Sequence, residues 1–160
     1  MRIGIISDTH DQVARTARAV ALLVTQGAEA LIHCGDLTGA AVVRECAALP
    51  CYFVFGNNDH DEAGLRAAMT AIGGVCLERG GEVVLGGRRI AVTHGDSSAQ
   101  VRRLAAGAPD YLLFGHTHVA ADNQEGPTRW INPGALHRAS PWTVVLLDLG
   151  DDRLLSISVR

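Results

Sequence analysis

The sequence predicts an α/β fold with a mixed or two-sheet core, carried by a single domain over residues 1–160. Three observations predict it. Up to about residue 75, short apolar runs alternate with segments of helical periodicity, the pattern of parallel βαβ units. Beyond that point the chain changes to short strand candidates broken by Gly-Gly pairs at 80–81 and 86–87. A content of 48% hydrophobic and 19% charged residues supplies enough apolar surface for a packed core.

The elements follow in order. Arg2–Ser7 reads as a buried strand, and Gln12–Gln26 as an amphipathic helix with a stripe of Val13, Ala17, Val20, Ala21 and Val24. Ala30–Cys34 is a second strand, Gly39–Ala48 a second helix and Cys51–Phe55 a third strand. The third helix, Asp61–Ile72, opens with Asp61 and Glu62, which suit the positive end of its dipole. Strands at Val75–Leu77, Glu82–Leu85 and Arg89–Thr93 precede a short helix, Ser98–Ala106, and a strand, Tyr111–Phe114. Val119–Asp122, Thr128–Ile131, Thr143–Leu149 and Arg153–Val159 read as antiparallel strands.

Composition narrows the function classes. The net charge of −3, from 14 basic and 17 acidic residues, gives no strong nucleic-acid signal and no general pull toward anionic membranes. All 14 basic residues are arginine, which excludes Schiff-base chemistry and a phosphate-loop lysine. No apolar run reaches the roughly 18 residues of a membrane span, and Asp8 arrives too early for a secretion signal. Cys34, Cys46, Cys51 and Cys76 have no CxxC spacing, so reduced, mostly buried thiols are expected. The expectation is a soluble, cytoplasmic protein.

Polar residues concentrate where strands end: Ser7-Asp8-Thr9-His10, His33-Cys34-Gly35-Asp36, Gly56-Asn57-Asn58-Asp59, Thr93-His94-Gly95-Asp96 and Gly115-His116-Thr117-His118. Ligands of open α/β sheets bind outside the carboxyl ends of the strands, so the five ends should share one crevice. Asp8 and His10, two apart on a segment read as extended, should face one side, as should His116 and His118. Two carboxylates, one amide and four imidazoles then converge, too many polar groups to bury without a partner. A nitrogen–oxygen set without thiolate suits Mn, Fe or Zn better than Mg or Ca. With one carboxylate shared, it could hold two ions roughly 3.5–4 Å apart, a spacing that suits phosphoryl chemistry. Gly35, Gly56, Gly95 and Gly115 are expected to permit the turns.

Asp8-x-His10, Gly35-Asp36, Gly56-Asn57, His94 and Gly115-His116-x-His118 resemble the ordered blocks of the calcineurin-like metallophosphoesterases. The length and the later Asn132-Pro133-Gly134 resemble the small prokaryotic phosphodiesterase branch, whose relatives include the retromer scaffold subunit. The resemblance implies two mixed β-sheets sandwiched between helical layers. It implies a first metal on Asp8, His10 and His118, a second on Asn57, His94 and His116, and Asp36 as the bridge. It further implies hydrolysis of a small phosphodiester by attack of a metal-bridging hydroxide. Two divalent ions serve, Mn foremost, with Fe, Ni or Zn also accepted by such ligands.

The sequence departs from the commonest form of the third block, in which a histidine follows the asparagine. Asn58 stands there, and an amide cannot protonate a leaving group. The expected catalytic set is therefore Asp36, Asn58 and His60, with His60 as the substitute acid and activity best on activated diesters. Alternatives are a phosphomonoesterase and a non-catalytic adaptor like the retromer subunit. His33 is read as a core histidine beside the site, Asp59 as a helix cap or turn residue, and Asp96 as a cap or supporting residue. Asn132-Pro133-Gly134 is read as a tight turn, and Trp130 and Trp142 as packing residues. Antiparallel edge strands would allow a homo-oligomer.

Overall fold

The structure is a computed structural model describing residues 1–160. In chain order the elements are β1 (Arg2–Ile6), α1 (Val13–Thr25), β2 (Ala30–His33), α2 (Ala40–Glu45), β3 (Cys51–Phe53), α3 (Glu62–Ala71), β4 (Val75–Cys76), β5 (Gly80–Leu85), β6 (Arg88–Thr93), α4 (Ser98–Ala105), β7 (Tyr111–Leu113), β8 (Ala121–Glu125), β9 (Thr128–Asn132), β10 (Thr143–Asp148) and β11 (Arg153–Ser158). They form a six-stranded sheet, β11-β10-β1-β2-β3-β4, and a five-stranded sheet, β5-β6-β7-β9-β8. Both sheets are mixed. The run β1-β2-β3-β4 is parallel, as is β6-β7-β9, and antiparallel strands complete each sheet.

Strand alternation builds the layers. In β1, Ile3 and Ile5 face the second sheet, while Ile6 on the other face joins Leu31 and Phe53 against the helices. Leu23 of α1, Val43 of α2 and Met69 of α3 cover that outer face. Ile90, Leu113 and Ile131 of the second sheet close the core between the sheets. On the far side Leu104 of α4 packs on Ala91 and Leu112. The order helices, sheet, sheet, helix is the sandwich that the family resemblance implies.

Some elements differ from the sequence reading. The buried face of α1 is Thr16, Ala19, Val20 and Leu23, rotated from the valine–alanine stripe, and Val24 is exposed. Thr16 can lie inward because its hydroxyl donates to the Gln12 carbonyl at 3.0 Å. Gly80 and Gly81 belong to β5, paired with Thr93 and Val92, whereas Gly86-Gly87 is the hairpin turn, with φ of 54° and 76°. The last four strands pair antiparallel two by two but divide between sheets: β8 with β9, and β10 with β11. Local periodicity carries no information about which sheet a strand joins. Asp61 is the N-cap of α3, accepting from Gly64 N, and Ser97 rather than Asp96 caps α4.

Candidate metal centre

The loops after β1, β2, β3, β6 and β7 meet at one end of the sandwich, as expected from the strand-end polar clusters. The route differs from the expected one. The segments carrying Asp8 and His10, and His116 and His118, are not extended: their φ angles are 53°, 41°, 67° and 59°. Asp36 lies at 58°. Five residues without the freedom of glycine thus occupy the left-handed region, at a cost of about 1–3 kcal/mol each, the kind of strain found at functional sites. Gly115 contributes space rather than a special φ, because a Cβ there would collide with Ser7 Oγ and Asp8 Oδ2.

Two groups of side chains converge closely enough to hold a metal ion: Asp8, His10 and His118, and Asp8, Asp36 and His94. Asp8 is common to both. Its Oδ2 accepts from His116 N at 3.1 Å, and its Oδ1 lies 3.2 Å from His118 Nε2. Asp36 Oδ2 lies 3.3 Å from His10 Nε2 and 3.4 Å from His94 Nε2, touching one imidazole of each expected set. His116 Nδ1 and Asn57 Oδ1 are 3.1 Å apart, on exposed loops beside these groups. The structure therefore brings the seven expected ligands into neighbouring contacts.

The donor chemistry fits a divalent ion. Asp8 Oδ1, His10 Nε2 and His94 Nε2 are buried and have no hydrogen-bond partner, an expensive arrangement unless a cation serves all three. The His94 tautomer is fixed: Nδ1 lies 2.8 Å from the Cys34 carbonyl, so it carries the proton and leaves the Nε2 lone pair toward the centre. Burial is the largest effect on His94 and lowers its pKa, but Asp36, the Cys34 carbonyl and Asp8 carry it above the usual imidazole value. Burial likewise pushes Asp36 up, yet the adjacent imidazoles of His10 and His94 and the two hydrogen bonds from Asn58 hold it well below the usual carboxylate range.

Around the ligands sits a buried scaffold. Asn58 donates to Asp36 twice, from its backbone N at 2.9 Å and its Nδ2 at 2.8 Å, so its amide orients the carboxylate. Asp59 is no helix cap but a turn residue, its N bonded to Gly56 O; it is buried, and its carboxylate accepts from Gly56 N, Asp36 N and Thr38 N at 2.8, 2.9 and 2.7 Å. Asn132 is more than a turn residue, since its Nδ2 also donates to the Gly115 carbonyl at 2.8 Å and braces the loop bearing His116 and His118. His60 is exposed, and its ring has no partner within the protein. Sequence reasoning missed His137, whose ring centroid is 4.7 Å from that of His10. Its only signal was its place three residues beyond Asn132-Pro133-Gly134, and Leu136 N reaches Ser7 O to bring it in.

His33 is a core histidine, as expected. Gly35 N donates to its Nδ1 at 3.1 Å, so Nε2 carries the proton and donates to Thr9 Oγ1 at 3.0 Å. Burial, reinforced by His94, lowers its pKa to about 3. An unfolded histidine titrates near 6.5, so between pH 6.5 and about 3 the unfolded chain binds the extra proton. This part of the stability is complete above pH 6.5 and falls on acidification by up to about 1.4 kcal/mol per pH unit. Urea midpoints measured from pH 7 to 4 in EDTA should fall more steeply for wild type than for His33→Gln. Parallel pH profiles would show that His33 titrates normally when folded.

The chain matches the calcineurin-like phosphoesterase superfamily domain over residues 1–152. It is 28% identical over 138 residues to the phosphodiesterase MJ0936 of Methanocaldococcus jannaschii, covering 84% of this chain and 83% of that protein. The solved structure of an archaeal phosphodiesterase superposes with a TM-score of 0.90 over 99% of both chains, at 26% identity. Vps29 of Entamoeba histolytica, solved with zinc, shares the fold with a TM-score of 0.65 over 100% of both chains, at 18% identity. With polar clusters at its strand ends, a two-sheet sandwich and a match over nearly its whole length, the chain belongs to the calcineurin-like phosphoesterase superfamily.

Proposed function

We propose that the protein is a phosphodiesterase working with two divalent metal ions, with residues 1–160 acting as one domain. The observation carrying this reading is the convergence of three buried, unpartnered ligand atoms, Asp8 Oδ1, His10 Nε2 and His94 Nε2, around Asp36. The phosphodiesterases similar to this chain supply the diester. In this reading Asp8, His10 and His118 hold one ion, Asn57, His94 and His116 the other, and Asp36 is shared. Bound there, the ions supply a nucleophile at neutral pH and positive charge for the developing phosphoryl oxyanion.

The chain's own residues position and hold charge. Asn58 keeps Asp36 aimed at both ligand sets through two hydrogen bonds. The carbonyl of Cys34 fixes His94. His60 is the proposed proton donor to the leaving oxygen. An exposed ring with no partner is a weakly positioned acid, so activated diesters with good leaving groups should turn over best. An intact ligand set favours the enzyme over an adaptor. Four free cysteines suit a reducing compartment, and we place the protein in the cytoplasm. Edge strands β8 and β11 offer a route to a homo-oligomer.

The test begins with protein stripped of metal, assayed on a bis-aryl phosphate and the matching aryl monophosphate while Mn, Fe, Ni or Zn is added. Diester turnover that requires metal and exceeds monoester turnover is expected. Faster monoester turnover would select the phosphomonoesterase, and stoichiometric metal binding without turnover would select the adaptor. Metal at 100-fold above its Kd should stabilise the fold by about 2.7 kcal/mol. For a domain of this size that raises Tm by about 5–11 °C, measurable by a thermal scan with and without EDTA.

A further inference from the structure

The net charge of −3 conceals an uneven surface. Half of the 14 arginines pair with carboxylates, and the other seven have no acidic partner. Four of those seven, Arg15, Arg18, Arg138 and Arg160, gather about the 137–142 loop beside the metal centre. Arg15 is held in place: its guanidinium lies 3.3 Å from the Trp142 ring centroid and donates to the Leu136 carbonyl. Arg18 donates to the Arg160 carbonyl, which brings α1 and the end of the outer strand together.

Three grooves join around this loop. One, of about 510 Å³, begins at His118 and carries Arg138. The next, of about 370 Å³, shares Ala139, Ser140 and Pro141 with the first and carries Arg160. The third, of about 480 Å³, shares Trp142 with the second, carries Arg15 and Arg18, and ends at Asp11 beside His10. Asp11 is the single acidic side chain along the track. The track thus leaves the metal centre at one histidine ligand and returns beside another.

We propose that this arginine track binds single-stranded nucleic acid and presents one of its phosphodiesters to the metal centre, a substrate class that rests on the phosphodiesterase reading. A series of fixed cations with an aromatic at its turn suits a flexible polyanion. An acidic peptide would match the charge but would bring no diester to the adjoining site. No helix or ribbon projects from the loop to enter a duplex groove. Cleavage consumes one water per bond. The phosphorus–oxygen bond to the leaving nucleotide breaks as one to the water oxygen forms, and the leaving oxygen takes up a proton, giving a terminal phosphate and a free hydroxyl.

The test uses the full chain loaded with Mn and a fluorescent 12-nucleotide oligothymidylate whose phosphorothioate backbone resists hydrolysis, followed by anisotropy. Four phosphate contacts at about 0.7 in log–log slope each predict an affinity loss of about 50-fold between 50 and 200 mM KCl. Arg18→Gln with Arg138→Gln leaves two contacts and should reduce that loss to about sevenfold. Arg102→Gln with Arg103→Gln, on α4 away from the track, should keep the wild-type dependence. Absence of salt-dependent binding, or equal weakening by both pairs, overturns the proposal. Bis-aryl phosphate turnover is measured in parallel. Turnover without oligonucleotide binding rejects the track and keeps the phosphodiesterase, whereas binding without turnover of any diester rejects both the reading and the presentation that rests on it.

Discussion

Asp36→Ala is expected to lower metal-dependent hydrolysis of a bis-aryl phosphate by about 10³-fold or more, the equivalent of several kcal/mol of charge stabilisation. The carboxylate lies between His10 and His94, and it receives both donors of Asn58. Its removal takes away the anion shared by both proposed ligand sets and leaves the Asn58 donors without an acceptor. Because the group sits far below the usual carboxylate range, it stays ionised throughout any practical assay, and pH cannot mask the loss. Calorimetric titration with Mn should show weakened binding and reduced stoichiometry in the variant. Turnover within tenfold of wild type at saturating Mn would remove Asp36 from its bridging role.

The second large effect concerns Asp59, which touches no proposed ligand side chain. Its two oxygens accept three backbone N–H groups, from Gly56, Asp36 and Thr38, and so tie the loop after β3 to the loop after β2. Asp59→Ala leaves buried donors unsatisfied, at about 1–3 kcal/mol for each. A total of roughly 3–5 kcal/mol allows for partial relaxation, and it corresponds to a Tm lower by about 6–20 °C for a domain of this size. Asp59→Asn, which keeps one acceptor oxygen, should fall between the two. A drop below about 2 °C for the alanine variant would mean that water replaces the carboxylate without loss.

Asp59 also shows where reading the sequence fails. An aspartate just before a helix is most often a cap, but here the cap is Asp61 and Asp59 turns the other way. Which backbone donors surround a carboxylate depends on loops far apart in sequence, Thr38 being 21 residues away. His137 was hidden for the same reason, because its approach to His10 requires the segment after β9 to reach the end of β1, where Leu136 N bonds Ser7 O. The arginine track illustrates it at the level of charge. A total of −3 reports the sum over the surface, whereas pairing decides which cations remain free. Conversely, Asp8-x-His10 is legible although its backbone is left-handed rather than extended, since such residues can also turn two side chains to one side, whereas His116 and His118 part to reach Asn57 and Asp8.

By itself, the sequence determined the class of fold, the order of strands and helices, and the five polar strand ends. These depend on local periodicity and on motifs whose members lie within a few residues of one another. Only the tertiary structure decided the division of the last strands between two sheets, the sharing of Asp8 between both ligand groups, the bonding of Asn58 and Asp59, and the loop that carries His137. Each of these is a contact across many residues. Its free energy depends on how two buried surfaces meet, and no local pattern encodes that meeting.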